Sequence, residues 1–388
     1  MRVLHVINSL SGSGGAEQGM VREITRLGPG IQQMLVRLYP PDQLEPDVLA
    51  AGIESVGLGL NSGNSGWNWP AGASRLDRHV AAFQPDVIQT SLAAANLTGQ
   101  ISGRRAGVPV LSTFTLSGDP SLMRRYQPGA DLLRAQALRR IEWWSARRDH
   151  VWFRALTEDA RQTNSAVAGI DPERVTVIPR GVPIPDLETP QPSRADLGLP
   201  DGPLVLNVGR QTAQKGHDDL VKAFSRVRER FPAHLVILGR EGDGSASLRA
   251  AIDDLGLAEA VTVVPFSDRP FDYYRAADVF AFSSHMEGLG TAVLEAMAAG
   301  LPVVAYDIPP VREIAGDPDH ATLVPLGDVA ALADEIVTVI ETRQPALEMA
   351  SRARAAVMAS HSLERVSARL EELLREVARR HTDSVSRR

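Results

Sequence analysis

Cysteine is absent from all 388 residues, which excludes a disulfide framework, a thiolate zinc site and a cysteine nucleophile. Aromatic residues are scarce, at 5% of the chain. No apolar run approaches the roughly 18 residues that a membrane-spanning helix needs. The apolar stretch behind Met1 is too short for a secretion signal; residues 2–8 read as a first β-strand, and a cytoplasmic protein is expected. Lysine is nearly missing: of 41 basic residues only Lys215 and Lys222 are lysines. Arginine serves wherever a positive charge suffices, so Lys215 calls for an explanation. The fingerprint G-x-G-x-x-G is absent as well, and the second strand, 34–39, ends without the acidic residue that would hold a ribose of NAD. A dehydrogenase reading loses its main support. The net charge of −6 and the lack of a recognised binding motif argue against a nucleic-acid partner.

What is present describes a globular protein, 44% hydrophobic and 23% charged. The length suggests two domains of roughly 150–200 residues. Residues 1–195 carry 20 basic and 18 acidic groups (+2), whereas 196–388 carry 21 and 29 (−8). The first half is therefore the better neighbour for anionic partners. Strand and helix patterns alternate along both halves, the signature of parallel sheets covered on both faces. Between them lies a proline-crowded linker with Pro183, Pro185, Pro190, Pro192 and Pro200.

The most informative stretch runs from Asp278 to Asp307, DVFAFSSHMEGLGTAVLEAMAAGLPVVAYD. It parses as strand 279–283, polar loop 284–290, helix 291–299 and strand 303–306. Glu287 stands in the loop and Glu295 early in the helix. The backbone N–H groups of Gly288, Leu289, Gly290 and Thr291 open toward the same space. Unpaired amides and the helix dipole suit a phosphate there, and carboxylates suit hydroxyls. Together they describe a nucleotide-sugar better than a bare nucleotide.

EGLGTAVLEAMAAGLPVVA closely resembles the E-x7-E signature of the retaining family 4 glycosyltransferases, which have the GT-B fold: two Rossmann-like doubly wound parallel-sheet domains facing across a cleft. That resemblance implies residues 1–183 as an acceptor domain, 184–202 as linker, 203–361 as a nucleotide-sugar donor domain, and 362–388 as a helix crossing back to the first domain with a frayed tail from 382. It places the transferred sugar on Glu287 and the nucleotide ribose on Glu295. GRQTAQKG resembles the family's basic pair, so Arg210 and Lys215 would neutralise the leaving diphosphate. Gly14-Gly15-Ala16-Glu17 matches the family's glycine loop, where the backbone at Gly15 approaches the donor phosphates or the acceptor. The reaction implied needs no cofactor and no metal, only a nucleotide-diphosphate sugar as co-substrate. The acceptor would be a hydroxyl of a glycan, a lipid-linked sugar or a small molecule.

The first half departs from the pattern. Gln89, Ser91, Ala94 and Thr115 stand where relatives often carry histidine or arginine, and no general base is visible among them. Arg180 stands where Asn is usual. Residues 61–70, with Trp67 and Trp69, read as a loop offering an acceptor contact. A helix within 122–148 carries Arg124, Arg125, Arg134, Arg139, Arg140, Arg147 and Arg148 beside Trp143 and Trp144, a combination suited to peripheral contact with an anionic membrane or, as an alternative, to a solvated face over buried Trp. Asp317-Pro318-Asp319 looks like a metal-binding D-x-D and reads instead as an acidic turn. Two other functions fit the residues: a non-catalytic nucleotide-sugar-binding subunit, which the missing histidines would suit, and a sugar-nucleotide epimerase, which they would not.

Overall fold

The computed structural model describes residues 1–12, 14–61, 67–115, 121, 125–126, 130–190 and 193–386. The chain divides into two units, Met1–Gly181 with Leu363–Arg388, and Val182–Ser362.

In the first unit β1 (Arg2–Ile7), α1 (Gly15–Ile24), β2 (Gln32–Arg37), α2 (Glu45–Ala50), β3 (Glu54–Gly57), α3 (Trp69–Phe83), β4 (Val87–Ser91), α4 (Ala93–Ala106), β5 (Val110–Phe114), α5 (Ala130–Ala146), β6 (Val151–Ala155), α6 (Glu158–Ala168) and β7 (Val175–Val177) follow in order. The described strands form one parallel sheet, β3-β2-β1-β4-β5-β6-β7. Its register pairs Leu4 with both Met34 and Ile88. Alternate side chains of β1 serve opposite faces, because successive residues of a strand point to opposite sides. Leu4 and Val6 pack with Leu76 and Val80 of α3, while Val3 joins a second layer on the other face.

That second layer is completed from the far end of the chain. The stripe Val366, Leu370, Leu373, Leu374 and Val377 of α14 (Leu363–Ser386) packs with Val3, Val87, Leu111 and Ile178. The spacing i, i+4, i+7, i+8, i+11 keeps these residues on one helix face. The expected frayed tail from 382 is a correction. The helix continues to Ser386, and the Thr382 and Ser386 hydroxyls donate to the carbonyls of Ala378 and Thr382 at 3.1 and 2.9 Å.

The second unit holds β8 (Leu204–Val208), α7 (His217–Arg230), β9 (His234–Leu238), α8 (Ser245–Asp254), β10 (Val261–Val264), α9 (Pro270–Ala276), β11 (Val279–Phe282), α10 (Thr291–Ala298), β12 (Val303–Tyr306), α11 (Pro309–Ala315), β13 (Thr322–Val324), α12 (Val329–Glu341) and α13 (Arg343–His361). Its parallel sheet runs β10-β9-β8-β11-β12-β13. One face is closed by Leu220, Phe224, Leu248, Ile252, Leu332 and Ile336 against Val205, Ile237, Val279 and Val304. Both units are Rossmann-like, with the strand order reversing beside the first strand of each.

Several boundaries differ from the sequence expectation. The 61–70 segment is not all loop: Trp69 and Pro70 open α3, where proline's fixed φ and missing N–H cost nothing, and 62–66 lie outside the described residues. The arginine-rich helix is described over Ala130–Ala146, so Arg124, and the side chain of Arg134, fall outside. Trp143 packs inward beside Phe153, whereas Trp144 and Leu133 are exposed. No helix among the described residues is long and apolar enough to cross a membrane.

Candidate nucleotide-sugar site

In a parallel sheet, ligands bind beyond the carboxyl ends of the strands where the order reverses. In the second unit that point lies between β8 and β11, and the expected donor residues leave from these two strands. Arg210 and Lys215 follow β8, and Glu287, Gly288, Leu289 and Gly290 follow β11.

The two loops are fastened to each other. The His285 N–H donates to the Gln214 carbonyl at 2.8 Å. The His285 ring meets Asp219 at 2.8 Å, and Tyr306 donates to the same carboxylate at 3.3 Å. The bond from His285 holds the Asp219 carboxyl below the usual range. Gly216, at φ +62°, passes so close to β11 that a Cβ would lie 2.1 Å from the Ser283 carbonyl oxygen. Only glycine supplies both that conformation and that approach.

The clamp brings Lys215 to Glu287. Lys215 Nζ donates to Glu287 Oε1 at 2.5 Å, and Ser284 Oγ donates to the same oxygen at 2.6 Å. Glu287 is 9% exposed and Ser284 1%. Behind them His217 shares a bond of 3.1 Å with Asn207. Burial, with Lys215 adding to it, pushes the His217 pKa down to about 4, so the ring is neutral at pH 7 and adds no charge to the site. Arg210 stands apart: its side chain is exposed and makes no ion pair among the described residues.

Gly290, at φ +93°, caps α10 and turns the loop into the helix. The N–H groups of Leu289, Gly290 and Thr291 donate to no acceptor among the described residues, as expected for the start of a helix. Glu295 lies one turn further on, 8% exposed, accepting a bond of 3.2 Å from the Tyr274 hydroxyl. Gly15 belongs to the other unit, in the first position of α1, where a Cβ would meet nothing within 4 Å. Nothing in the sequence pattern singles out Ser284, Tyr274 or His217 as site residues. Ser284 lies beside the motif without a spacing of its own, and Tyr274 comes from 21 residues upstream of Glu295.

Other polar groups are committed elsewhere. Asp317 Oδ1 accepts the Asp319 N–H at 2.9 Å, an acidic turn. Ser91 accepts from Arg180 at 3.3 Å and Gln89 meets His5 at 2.8 Å, so these two departures from the family pattern are bonded inside the first unit. A cavity of about 680 Å³ opens at the amino edge of the second sheet, lined by Gly202, Asp278 and Pro302. It lies at the wrong end of the strands for the chemistry. Asp278, its charged centre, is used up by Arg194, Arg343 and the Leu204 N–H.

Two family models match the chain: a glycosyl transferase 4-like domain over residues 14–181 and glycosyl transferases group 1 over residues 191–356. The chain is 30% identical to the D-inositol 3-phosphate glycosyltransferase of Xylanimonas cellulosilytica, over 74% of its own length and 71% of the relative's. It is 29% identical to the 2-deoxystreptamine glucosyltransferase of Streptomyces kanamyceticus, over 68% and 70%. The crystal structure of Anabaena HepE in complex with UDP and glucose superposes with a TM-score of 0.81 at 21% identity, covering 97% of this chain and all of that one. The chain belongs to the family 4 glycosyltransferases of the GT-B fold, enzymes that act on a nucleotide sugar.

Proposed function

We propose that the protein is a retaining, metal-independent glycosyltransferase that moves a sugar from a nucleotide-diphosphate donor to a hydroxyl acceptor. The observation that carries this reading is the Lys215–Glu287 pair beside the open amides of α10, at the reversal point of the second sheet. The lysine and the carboxylate neutralise each other. An arriving diphosphate offers Lys215 a stronger partner, and Glu287, still held by Ser284, turns its freed acceptor capacity to the sugar hydroxyls. Glu295 takes the ribose, and Gly15 a phosphate or the acceptor.

Breaking the anomeric C–O bond leaves the bonding electrons on the diphosphate. Arg210, Lys215 and the amides of residues 288–291 stabilise that charge, which is where such a site gains most of its rate. The acceptor oxygen attacks from the face the phosphate is leaving, and a phosphate oxygen takes its proton, so no protein base is required. The two cations do the work a divalent ion does elsewhere. The relatives' names supply two acceptors to try, D-inositol 3-phosphate and 2-deoxystreptamine, both ring polyols.

The test is release of nucleoside diphosphate from UDP-, GDP- or ADP-sugars on addition of these acceptors in excess EDTA, with the anomeric configuration of the product read by NMR. Acceptor-dependent release with retention supports the reading. An absolute need for Mg²⁺ or Mn²⁺, an inverted product, or binding without release contradicts it.

A further inference from the structure

Aromatic side chains are few in this chain, yet four of them form one array beneath the donor site. Phe271 and Tyr274 of α9 lie with ring centroids 5.6 Å apart. Tyr274 meets Phe280 at 5.6 Å, and Phe280 stacks on Phe282 at 5.9 Å. Phe280 and Phe282 are two apart on β11 and so share a sheet face. The array meets two charged site residues: Lys215 Nζ lies 5.7 Å from the Phe282 ring centre, and the Tyr274 hydroxyl donates to Glu295.

We infer that Tyr274 is a positioning residue for nucleotide binding, fixing the Glu295 carboxylate in the orientation that receives the ribose hydroxyls. This rests on the reading of Glu295 as the ribose residue. Glu295 sits in an apolar helix, TAVLEAMA, with Val293, Leu294, Ala296 and Met297 buried around it. A carboxylate so enclosed needs donors, and a donor fixed in place restricts its rotamer. The Tyr274 ring is 1% exposed and held by Phe271 and Phe280, so its hydroxyl is a fixed point. A carboxylate has acceptor sites for more than one donor, so ribose hydroxyls can share it with the Tyr274 hydroxyl.

The experiment compares Tyr274→Phe, Glu295→Gln and the double variant, using whichever of UDP, GDP and ADP most raises the melting temperature of the native protein. Tyr274→Phe keeps the ring array and removes one oxygen. Affinity for the free nucleotide is expected to fall roughly five- to tenfold, with the loss in donor KM rather than kcat. The ligand-free melting temperature should fall by no more than about 3 °C. Because Tyr274 acts through Glu295, the double variant should bind no more than about twofold worse than Glu295→Gln alone. Losses that multiply in the double variant would overturn the inference. So would unchanged nucleotide affinity in Tyr274→Phe while Glu295→Gln is weakened, an outcome that leaves the ribose reading intact. Full affinity in Glu295→Gln sinks the ribose reading itself, and the positioning role with it.

Discussion

The two units share a strand order through six strands, β3-β2-β1-β4-β5-β6 in one and β10-β9-β8-β11-β12-β13 in the other, and they use the reversal point differently. In the second unit the loops leaving the two central strands carry Lys215 and Glu287 to a site still partly open to solvent. In the first, polar side chains near the corresponding strand ends are turned inward. Glu23, fully buried, takes a bidentate pair of bonds from Arg154 at 2.7 and 2.8 Å, one from Arg180 at 2.8 Å and one from the Gly181 N–H at 3.2 Å. Arg180 then reaches Ser91. One reversal point keeps its charges for a ligand, and the other spends them tying α1, β6 and the 178–181 segment together. The same frame can thus serve chemistry or cohesion, and the side chains on the loops decide which.

Replacing the leading residue of each cluster should separate these roles. Lys215→Ala removes a cation needed most as the diphosphate departs, so turnover should fall roughly a hundredfold or more, and donor affinity by much less. Equal losses in both would make Lys215 a plain binding residue. Glu23→Gln should act on stability instead, at a cost of about 3–5 kcal/mol, because two buried guanidiniums lose their counter-charge. Burial raises the Glu23 carboxyl, but Arg154 and Arg180 outweigh it and hold it below the usual range. A depressed carboxyl contributes stability that is complete above the unfolded value of 4.5 and is lost as pH falls through the folded one. The native protein should therefore lose melting temperature on acidification below that value, and Glu23→Gln should lose less over the same range. An equally steep acid limb in the variant would remove Glu23 from the account.

The contrast also explains which parts could be read from the sequence. Strand 303–306 has the bounds expected of it, because a buried parallel strand reads as a short unbroken apolar run. The family and the fold followed from the E-x7-E stretch, whose loop, helix and strand are contiguous. Short elements with weak patterns were missed: α2, β3, α9 and β13, the last with only three residues. The buried polar ties were invisible for a different reason. Glu23 and Arg154 are 131 residues apart, and nothing local marks either as half of an ion pair. Arg180 looked only like a departure from the family pattern until its partner was in view.

The smallest expected effect concerns α5, where Leu133 and Trp144, 69% and 56% exposed, lie on one helix face with Arg140. Weak sedimentation with anionic vesicles, fading as salt rises, is expected of that face. Equal partitioning to neutral vesicles, or none to either, would leave it a solvated surface.

The central claim, that the second unit's reversal point is a divided donor site, is tested most directly by measuring free nucleotide and nucleotide-sugar binding to Glu287→Gln and Glu295→Gln. Glu295→Gln should weaken both ligands alike, since both carry the ribose. Glu287→Gln should weaken the nucleotide-sugar and leave the free nucleotide nearly unchanged. Equal loss of free nucleotide in both variants, or no loss in either, would contradict the division of roles.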